Sequence, residues 1–468
     1  MLTRVLRRAL ILGLLSVLLF YTILRYIDGR PVISHYRVQD WIKRTFPTAN
    51  NLINLEQQHT LNGPVDSGSK NGANSDISPQ VLPGYNENGD NIVDGPNFND
   101  THVVLFSVST PDNKYFKLRF DDKLGINPNI IPHPLLEDTW TIVAQQHDPA
   151  DITHTQFTEM VCDASFNQDS SELSCLFPPV PLPIVPTGLG KCEGELEYVN
   201  LNTGPHDARV FYGPVSPFII YGSNSQWTCF GQWMQDFRAL INWEREQQSD
   251  QPFQLGTELH RPMPYFPMEK NWFLFWDTDG RMYAHYDVSP HRVFAALEVD
   301  ASVASDLAPL AAAAGDGKCM EKYMPKTGPS QESIHQATNS LSITMCRQTD
   351  PECSPSDANT FIFTIFQHKT FYNFHSVYEP YVMVFSQMPP FQIYGISQKP
   401  LWIYGRDTPD RMFYVTSMNW KKPGQKYHGY LDDILFVAFG IEDSDTAGID
   451  VLVGDIFTDL GLCSGMAA

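Results

Sequence analysis

Basic residues are scarce in this chain. Of its 468 residues, 32 are Lys or Arg and 53 are Asp or Glu, which gives a formal net charge of −21. This balance argues against a nucleic-acid partner, because phosphates need a basic surface. Aromatic residues make up 12% of the chain, which also has 35 Pro and 30 Gly. This composition favours many short strands joined by turns over long helices, so the expected fold class is all-β.

One N-terminal stretch lacks charge altogether. The sixteen residues from Ala9 to Leu24 are uncharged, with three Arg residues before them and Arg25 after them. As a helix they would reach about 24 Å, close to the roughly 27 Å of thin early secretory membranes. Bulky residues follow where a signal peptidase would need small ones, so we expect an uncleaved anchor rather than a cleaved signal peptide. The basic flank predicts a type II membrane protein of the Golgi or endoplasmic reticulum, with residues 1–8 cytoplasmic and 9–25 in the membrane.

The chain has no C-x-x-C pair, so neither a zinc ribbon nor a thioredoxin motif is indicated, and we predict neither a metal site nor a cofactor. Its eight cysteines are an even number, which agrees with disulfides in an oxidising lumen. Cys346 and Cys353 enclose a short polar loop and are predicted to pair, whereas the other pairings stay open. Asn99 begins the chain's one Asn-x-Ser/Thr sequence and is a candidate glycosylation site.

Apolar residues are rare between residues 62 and 100, where Gly, Asn, Asp, Ser and Pro dominate. Such a segment has little to bury and is typical of a flexible linker. The expected order is therefore a stalk and linker over residues 26–100 and a lumenal domain over residues 101–468.

Strand-like runs separated by turn residues fill the chain from residue 102 onward. We place five units near residues 126–165, 204–245, 267–300, 335–390 and 395–445, and a domain of this size and pattern suits a five-bladed β-propeller. The strand near residues 102–120 is expected to complete the last blade. Two stretches look helical instead, a convincing one at residues 233–248 and a short one at residues 301–315.

The triplet Asp277-Thr278-Asp279 can be mistaken for a metal–nucleotide site. It is followed by Gly280 and lies between two apolar runs, and these residue types favour a hairpin turn. We therefore predict a turn.

An acid, a base and an amide, Glu269, Lys270 and Asn271, stand directly before the apolar run that begins at Trp272. If the strand started here, alternation would place Glu269 and Asn271 on one face and Lys270 on the other. The first interpretation is an ion pair that fixes the strand. The second is that the polar end of an inner strand lines a central funnel, and the nearby His291 in a following loop favours it.

Similar polar residues stand beside other apolar strands. Asp207 and Arg209 occur in "GPHDARVF", His335 and Asn339 precede "LSITMC", and a third group before "DILFVAFGI" consists of His428, Asp432 and Asp433. In a propeller the ends of the inner strands converge on the axis, so these side chains are expected to meet there.

The set "GPHDARVF", "EKNW", "SPHRV" and "HGYLDD…FGIED" resembles a family of five-bladed β-propeller proteins related to mannoside phosphorylases and β-mannosyltransferases, most of all its membrane-anchored fungal members. The resemblance covers roughly residues 102–463. It implies that Asp207 is the catalytic acid and Arg209 an oxygen-binding cation. The chain departs from the family pattern at His206 and Ala208, where the enzymes usually have an acid and a Pro.

The sequence thus predicts an inverting transfer of a sugar, such as mannose, from a sugar nucleotide or sugar phosphate to a glycan. In this hypothesis Asp207 handles the proton, while Arg209, Lys270 and His291 hold the phosphate or nucleotide leaving group. Two alternatives stay open. A hydrolase or phosphorylase would need a second carboxylate, for which Glu269 and Asp433 are the candidates, and a glycan-binding propeller would need no proton donor.

Overall fold

The computed structural model describes residues 100–149, 155–188, 190–243, 252–328, 331–372 and 374–463. The predicted membrane segment, the linker and Asn99 lie outside these residues. Within the described ranges, no helix is long and apolar enough to cross a membrane.

This part of the chain is all-β, as its composition predicted. The strands of the first half are β1 Val103–Leu105, β2 Phe116–Arg119, β3 Leu124–Pro132, β4 Trp140–His147, β5 Glu159–Phe166, β6 Glu172–Cys175, β7 Val180–Pro181, β8 His206–Tyr212, β9 Pro217–Asn224, β10 Phe230–Asp236, β11 Thr257–Glu258 and β12 Phe273–Trp276. Those of the second half are β13 Met282–Asp287, β14 Val293–Ala296, β15 Glu332–Thr344, β16 Thr360–Tyr372, β17 His375–Ser386, β18 Ile393–Ser397, β19 Leu401–Ile403, β20 Phe413–Trp420, β21 His428–Tyr430, β22 Ile434–Ile441, β23 Asp445–Leu452 and β24 Leu460–Leu462.

Within the described residues, helical structure is limited to short segments. The α-helices are α1 Ala308–Ala311 and α2 Gly317–Tyr323, joined by a π-helical turn at Ala312–Asp316, and 3-10 turns occur at Gly194–Leu201, Phe237–Ala239 and Val453–Phe457. The helix predicted on the insertion after residue 301 is thus present. The helix predicted over 233–248 is wrong within its described part, because residues 230–236 pair with β9 from Phe230 to Asp236. Pairing across the sheet overrides the local helical pattern there.

The sheets are mostly antiparallel and follow the chain. The strand orders are β8-β9-β10-β11, β12-β13-β14, and β15-β16-β17-β18 extended by β21 and β24. A longer sheet runs β20-β22-β23-β2-β6-β5-β4-β3, and it combines two antiparallel groups through the parallel pair β2 and β6. Strand β2 pairs with β23, as predicted for the strand near residues 102–120. Residues 395–397, which the sequence placed at the start of the fifth unit, lie in β18, and this strand pairs with β17 of the fourth unit.

Five strands, β3, β8, β12, β15 and β20, each come first along the chain in a group of antiparallel strands, and each contacts at least one of the others at the centre of the domain. Buried amide side chains tie them together. The Asn129 side chain bonds the backbone of Val210 on β8, and Asn419 donates to the carbonyl oxygens of both Ile130 and Val210. These side chains satisfy buried peptide groups that have no neighbouring strand to pair with.

The apolar core fills the spaces between neighbouring sheets. One cluster, for example, joins Ile131 and Val143 of the β3–β4 pair to Val210, Ile219 and Tyr221 of the β8–β9 pair. Most sheets therefore pack against a neighbouring sheet on each face. Residues that point to either face of a strand are buried for this reason.

Four disulfides connect the eight cysteines: Cys162–Cys175, Cys192–Cys229, Cys319–Cys463 and Cys346–Cys353. The predicted pair in the short polar loop is confirmed. The pair Cys319–Cys463 joins α2 to the segment that follows β24, and β24 itself pairs with β18.

The predicted hairpin turn is also confirmed. Asp277 ends the β12 side of the β12–β13 hairpin, and its Oδ1 accepts hydrogen bonds from the backbone N–H groups of Asp279 and Arg281. Its Oδ2 accepts from the Tyr283 hydroxyl, and Gly280 takes a positive φ of 79°. The triplet is thus used to form the turn.

Candidate functional site

A cavity of about 820 Å³ opens at one end of the central strands. It lies at the start of β3, β8, β15 and β20 and just before β12. Its lining residues are Ile126, Asn127, Gln145, Gln146, His147, Asp148, Gln156, Phe157, Thr158, Asp207, Lys270, Asn271, His335, Lys369, Phe374, His375, Ser376, Tyr378, Met412, Tyr414, Glu442 and Asp443. A polar lining of this size is suited to a hydrophilic ligand.

Left-handed backbone conformations concentrate at this cavity. Asn127, Asp207, Asn271, Glu442 and Asp443 have φ values of 52°, 51°, 62°, 54° and 48°. Outside glycine such values are uncommon, and they are often found at functional sites. The strand pairings also shift register beside two of these residues, between residues 126 and 129 on β3 and between residues 206 and 209 on β8. The bulges turn the side chains at the strand ends towards the cavity.

Asp207 is a half-buried carboxylate whose orientation is fixed by its neighbours. Its Oδ1 accepts a hydrogen bond of 2.6 Å from the Asn127 side-chain amide. Its backbone N–H donates to Oε1 of Gln145 at 3.1 Å, and its carbonyl oxygen accepts from Nη1 of Arg209 at 2.7 Å. A carboxylate held this way is preorganised to exchange a proton with a bound ligand.

Two buried ionisable side chains lie close to Asp207 but do not line the cavity. Arg209 is 3% exposed, and its Nε donates to the carbonyl oxygen of Ala337 on β15. Glu159 is 1% exposed, and its Oε1 accepts from the N–H of Ala208. Burial raises the pKa of Glu159 to about 8; the Asp207 charge adds to the rise, whereas the Ala208 hydrogen bond and Arg209 oppose it. Glu159 is therefore protonated at neutral pH.

Lysines and histidines share part of the wall. Lys270 is exposed to the cavity just before β12, and Lys369 lies on β16. Burial lowers the pKa of His335 to about 4, and the charges of Lys369 and Lys270 lower it further. Burial likewise lowers the pKa of the neighbouring His206 to about 4. Both imidazoles are neutral at physiological pH, so the positive charge beside them comes from the two lysines.

Several carboxylates also line the cavity. Glu442 and Asp443 follow β22, and Asp148 follows β4. Desolvation in the cavity raises the pKa of Asp443, and the charges of Asp207 and Glu442 raise it further. Asp207 therefore faces a cavity that is lined both by lysines, before β12 and on β16, and by acids that follow β4 and β22.

Aromatic rings add flat apolar surfaces. Tyr378 and Tyr414 lie with ring centroids 4.8 Å apart at 70°. Phe157 packs on the imidazole of His206 with centroids 3.5 Å apart. Phe374, between β16 and β17, is 95% exposed. Rings of this kind can stack on the apolar faces of sugars, while amides and carboxylates bond their hydroxyl groups.

Gly204 allows the loop before β8 to approach this wall closely. It has a positive φ of 100°, and a Cβ there would clash with the carbonyl oxygen of Phe157. Glycine is therefore required at this position, and it brings the segment holding His206 and Asp207 against Phe157.

Each of the two interpretations of Glu269, Lys270 and Asn271 applies to part of the cluster. Lys270 and Asn271 line the cavity. Glu269 is 3% exposed and receives two hydrogen bonds from Arg261, at 3.0 and 2.8 Å, so it forms the structural ion pair. The predicted alternation is wrong because β12 begins only at Phe273 and the left-handed Asn271 interrupts the extended backbone.

Other predicted site residues lie away from the cavity. Asn339 is 1% exposed and bonds both the N–H and the carbonyl oxygen of Met418, which ties β15 to β20. His291 is exposed in the turn between β13 and β14, at the same end as Asn271, but is not among the lining residues. His335 is the one predicted histidine in the lining.

The group before β22 stands at the opposite end of the central strands. His428 bonds the hydroxyl of Thr344 at the far end of β15, nine residues beyond His335 and thus about 30 Å along the strand. Asp432 accepts hydrogen bonds from Gln348 and Thr349 of the disulfide loop. Asp433 accepts from Gln425 and Tyr430. Strand β22 runs away from this group and delivers Glu442 and Asp443 to the cavity instead.

Several lining residues were not predicted as site residues. Asn127 and Gln145, which hold Asp207, lie within β3 and β4, and Lys369 and Tyr378 lie on the long hairpin β16–β17. The pair Glu442–Asp443 follows β22, and the direction of that strand was the missing signal. Among the described residues, no group of three His, Cys, Asp or Glu side chains is placed to hold a metal ion.

No protein-family model matches the chain, and no curated protein matches it. Among solved structures it is similar to a glycosyl hydrolase from Bacteroides ovatus, with 11% identity, a TM-score of 0.39, and coverage of 75% of this chain and 92% of that one. A structure described under the GH130 family of mannoside phosphorylases, containing hydrolases that target β-1,2 mannosidic linkages in Candida mannan, has 11% identity, a TM-score of 0.40, and coverage of 74% and 90%. The β-1,2-mannobiose phosphorylase from Listeria innocua has 10% identity, a TM-score of 0.37, and coverage of 76% and 96%. These values are too low to assign the chain to a family.

Proposed function

We propose that the cavity is the active site of an inverting glycosyltransferase that moves a sugar, such as mannose, from a phosphate-bearing donor to a glycan. The single observation that carries this proposal is the position of Asp207, a fixed carboxylate on a cavity that is also lined by two lysines and by other acids. A sugar phosphate or sugar nucleotide has the matching polarity. Its phosphate can form charge-assisted hydrogen bonds with Lys270 and Lys369, and its hydroxyl groups can form hydrogen bonds with the amides and carboxylates.

In the proposed step Asp207 accepts the proton of the acceptor hydroxyl as its oxygen forms a bond to the anomeric carbon. The bond from that carbon to the phosphate oxygen breaks on the opposite face, and the phosphate leaves with the electron pair. Lys270 and Lys369 stabilise the negative charge that grows on it. The reverse reaction is a phosphorolysis, in which the same carboxyl group donates the proton to the glycosidic oxygen.

Hydrolysis on the same site is the second candidate, and the raised pKa of Asp443 favours it. A protonated Asp443 would donate to the glycosidic oxygen while Asp207 takes a proton from the attacking water. Asp443 replaces Glu269 and Asp433 as the second carboxylate, because Glu269 is paired with Arg261 and Asp433 lies at the other end of the strands.

The experiment is a turnover assay of the full-length protein with a panel of sugar nucleotides, sugar 1-phosphates and oligosaccharides. Transfer from a donor supports the main proposal, and release of sugar 1-phosphate or free sugar from a glycan supports phosphorolysis or hydrolysis. Binding of oligosaccharides without turnover would instead indicate a glycan-binding protein. The anomeric configuration of the product, followed by NMR, tests inversion.

We further propose that the groups of antiparallel strands that start with β3, β8, β12, β15 and β20 are the five blades of a propeller. In this proposal residues 9–25 anchor the protein in a Golgi or endoplasmic reticulum membrane, and the propeller lies in the lumen. Protease added to intact microsomes is expected to leave the folded domain undigested. Digestion without detergent would contradict the lumenal orientation.

A further inference from the structure

Phe374 occupies an unusual position for a large apolar residue. It lies between the ends of β16 and β17, its side chain is 95% exposed, and its φ is 62°. The pairing of Tyr372 with His375 leaves Phe374 in a two-residue hairpin turn, whose favoured forms use positive φ but normally take Asn, Asp or Gly rather than a bulky ring. Phe374 also lines the same cavity as Asp207. A cavity is where an exposed ring can gain a partner.

The tip of this hairpin is held by contacts with neighbouring segments of the chain. Strands β16 and β17 pair without interruption up to the pair Tyr372 and His375. The Nε2 of His375 lies 2.8 Å from the carbonyl oxygen of Asp410, and its Nδ1 lies 3.8 Å from Oε2 of Glu442. Phe374 is therefore presented in one place rather than carried on a free loop, which lowers the entropy cost of binding a ligand there.

Phe374 and Asp207 stand at different depths. The carboxylate is half-buried and held by Asn127, whereas the phenyl ring is almost wholly exposed at the mouth. The rings of Tyr378 and Tyr414 line the same cavity. The volume of about 820 Å³ falls in the upper part of the range of about 300–1,000 Å³ that is typical of pockets for drug-sized molecules. The cavity is thus large enough for more than one sugar ring.

We infer that Phe374 is a specificity-determining residue that stacks on a sugar of the glycan one or more units away from the reacting one. This inference rests on the proposed function and deepens it, because it makes the acceptor an oligosaccharide rather than a monosaccharide. The apolar C–H face of a pyranose covers an exposed phenyl ring, and the carboxylates of the adjoining wall bond its hydroxyl groups. A monosaccharide bound at Asp207 gains none of this contact.

The test compares wild type with Phe374→Asn and Phe374→Trp, using methyl mannoside and manno-oligosaccharides of two to four units. Asn tolerates positive φ, so the backbone is kept while the ring is lost, and Trp keeps an aromatic face. For Phe374→Asn we expect KM to rise roughly fivefold or more for the oligosaccharides, with kcat and the monosaccharide KM nearly unchanged. Phe374→Trp should retain the wild-type preference for oligosaccharides over methyl mannoside. Phe177→Ala removes a ring that is 77% exposed outside the cavity and should have no effect.

An unchanged preference for oligosaccharides in Phe374→Asn would overturn the inference. The same ligands are titrated by calorimetry, so that the result does not depend on turnover. If wild type binds oligosaccharides no better than methyl mannoside, the inference is also overturned. The proposed function fails separately, when wild type shows no turnover or Asp207→Asn retains it.

Discussion

The side-chain amide of Asn127 donates a hydrogen bond of 2.6 Å to Oδ1 of Asp207, and both residues have left-handed backbones at strand bulges. The bond joins β3 to β8 across the domain centre. The bond leaves Oδ2 as the oxygen of Asp207 that can exchange a proton with a ligand. It also fixes the orientation of the carboxylate.

The first prediction concerns this bond. Asn127→Gly keeps the positive φ but removes the amide, so kcat should fall about tenfold as Asp207 loses its orientation. Asn127→Asp places a second carboxylate beside Asp207, and mutual repulsion raises the pKa of the pair. Its activity optimum should move to higher pH, which a pH profile of kcat/KM measures. An unchanged profile in Asn127→Asp would argue that Asp207 is not the titrating group.

The lysines of the cavity should recognise the phosphate of the donor. Lys270→Met and Lys369→Met keep the length of the side chain and remove its charge. We expect the donor KM to rise by roughly tenfold or more, because charge-assisted hydrogen bonds contribute about 1.5–3 kcal/mol, while the acceptor KM stays near wild type. Lys422→Met, at an exposed position outside the lining, is the matched control. Equal effects on donor and acceptor would contradict a phosphate role.

Asn339 should affect stability rather than ligand binding. Its side chain bonds both backbone groups of Met418, so Asn339→Ala leaves two buried peptide groups unpaired. The expected loss is about 1–3 kcal/mol in the free energy of unfolding, measured by denaturant unfolding. Replacing the exposed Gln398 by Ala is the control and should change little. An Asn339→Ala variant as stable as wild type but weak in ligand binding would restore its predicted binding role.

The protonated state of Glu159 predicts a pH-dependent stability. Its pKa of about 8 in the folded protein exceeds the usual value near 4.5, so the folded state holds the proton more tightly. As pH rises from about 4.5 to 8, the unfolded chain loses this proton first, and the free energy of unfolding falls; above pH 8 the fall stops.

Glu159→Gln cannot ionise and should escape that fall. The difference in melting temperature between Glu159→Gln and wild type should therefore grow from pH 5 to pH 8. Histidines such as His206 titrate in both proteins, and their effects cancel in the difference. A difference that does not depend on pH would show that Glu159 is charged in the folded state.

The sequence was sufficient for the elements whose determinants are local. The turn at Asp277, the disulfide Cys346–Cys353 and most strands follow from residue types at short spacing. Asp207 and Lys270 were also found, because polar residues before apolar strands are conspicuous. The predicted helix at 233–248 failed for the opposite reason, since its strand depends on pairing with β9.

The rest of the site depends on strand direction and on contacts between sheets. The group ending in Asp433 and the pair Glu442–Asp443 flank the same strand, and only the orientation of β22 decides which end faces the cavity. Asn127 and Asn339 look alike in sequence, yet one holds Asp207 and the other ties β15 to β20. Their different partners are about 80 residues distant along the chain.

The central claim is that Asp207 carries the proton in glycosyl transfer, and Asp207→Asn tests it most directly. Asn keeps the size and hydrogen-bonding capacity of Asp and tolerates the left-handed backbone, but it does not titrate. With the donor and acceptor found for wild type, kcat should fall roughly 10²–10⁴-fold, the usual contribution of general acid–base catalysis. Melting temperature and oligosaccharide affinity should stay near wild type. A fully active Asp207→Asn enzyme would contradict the account.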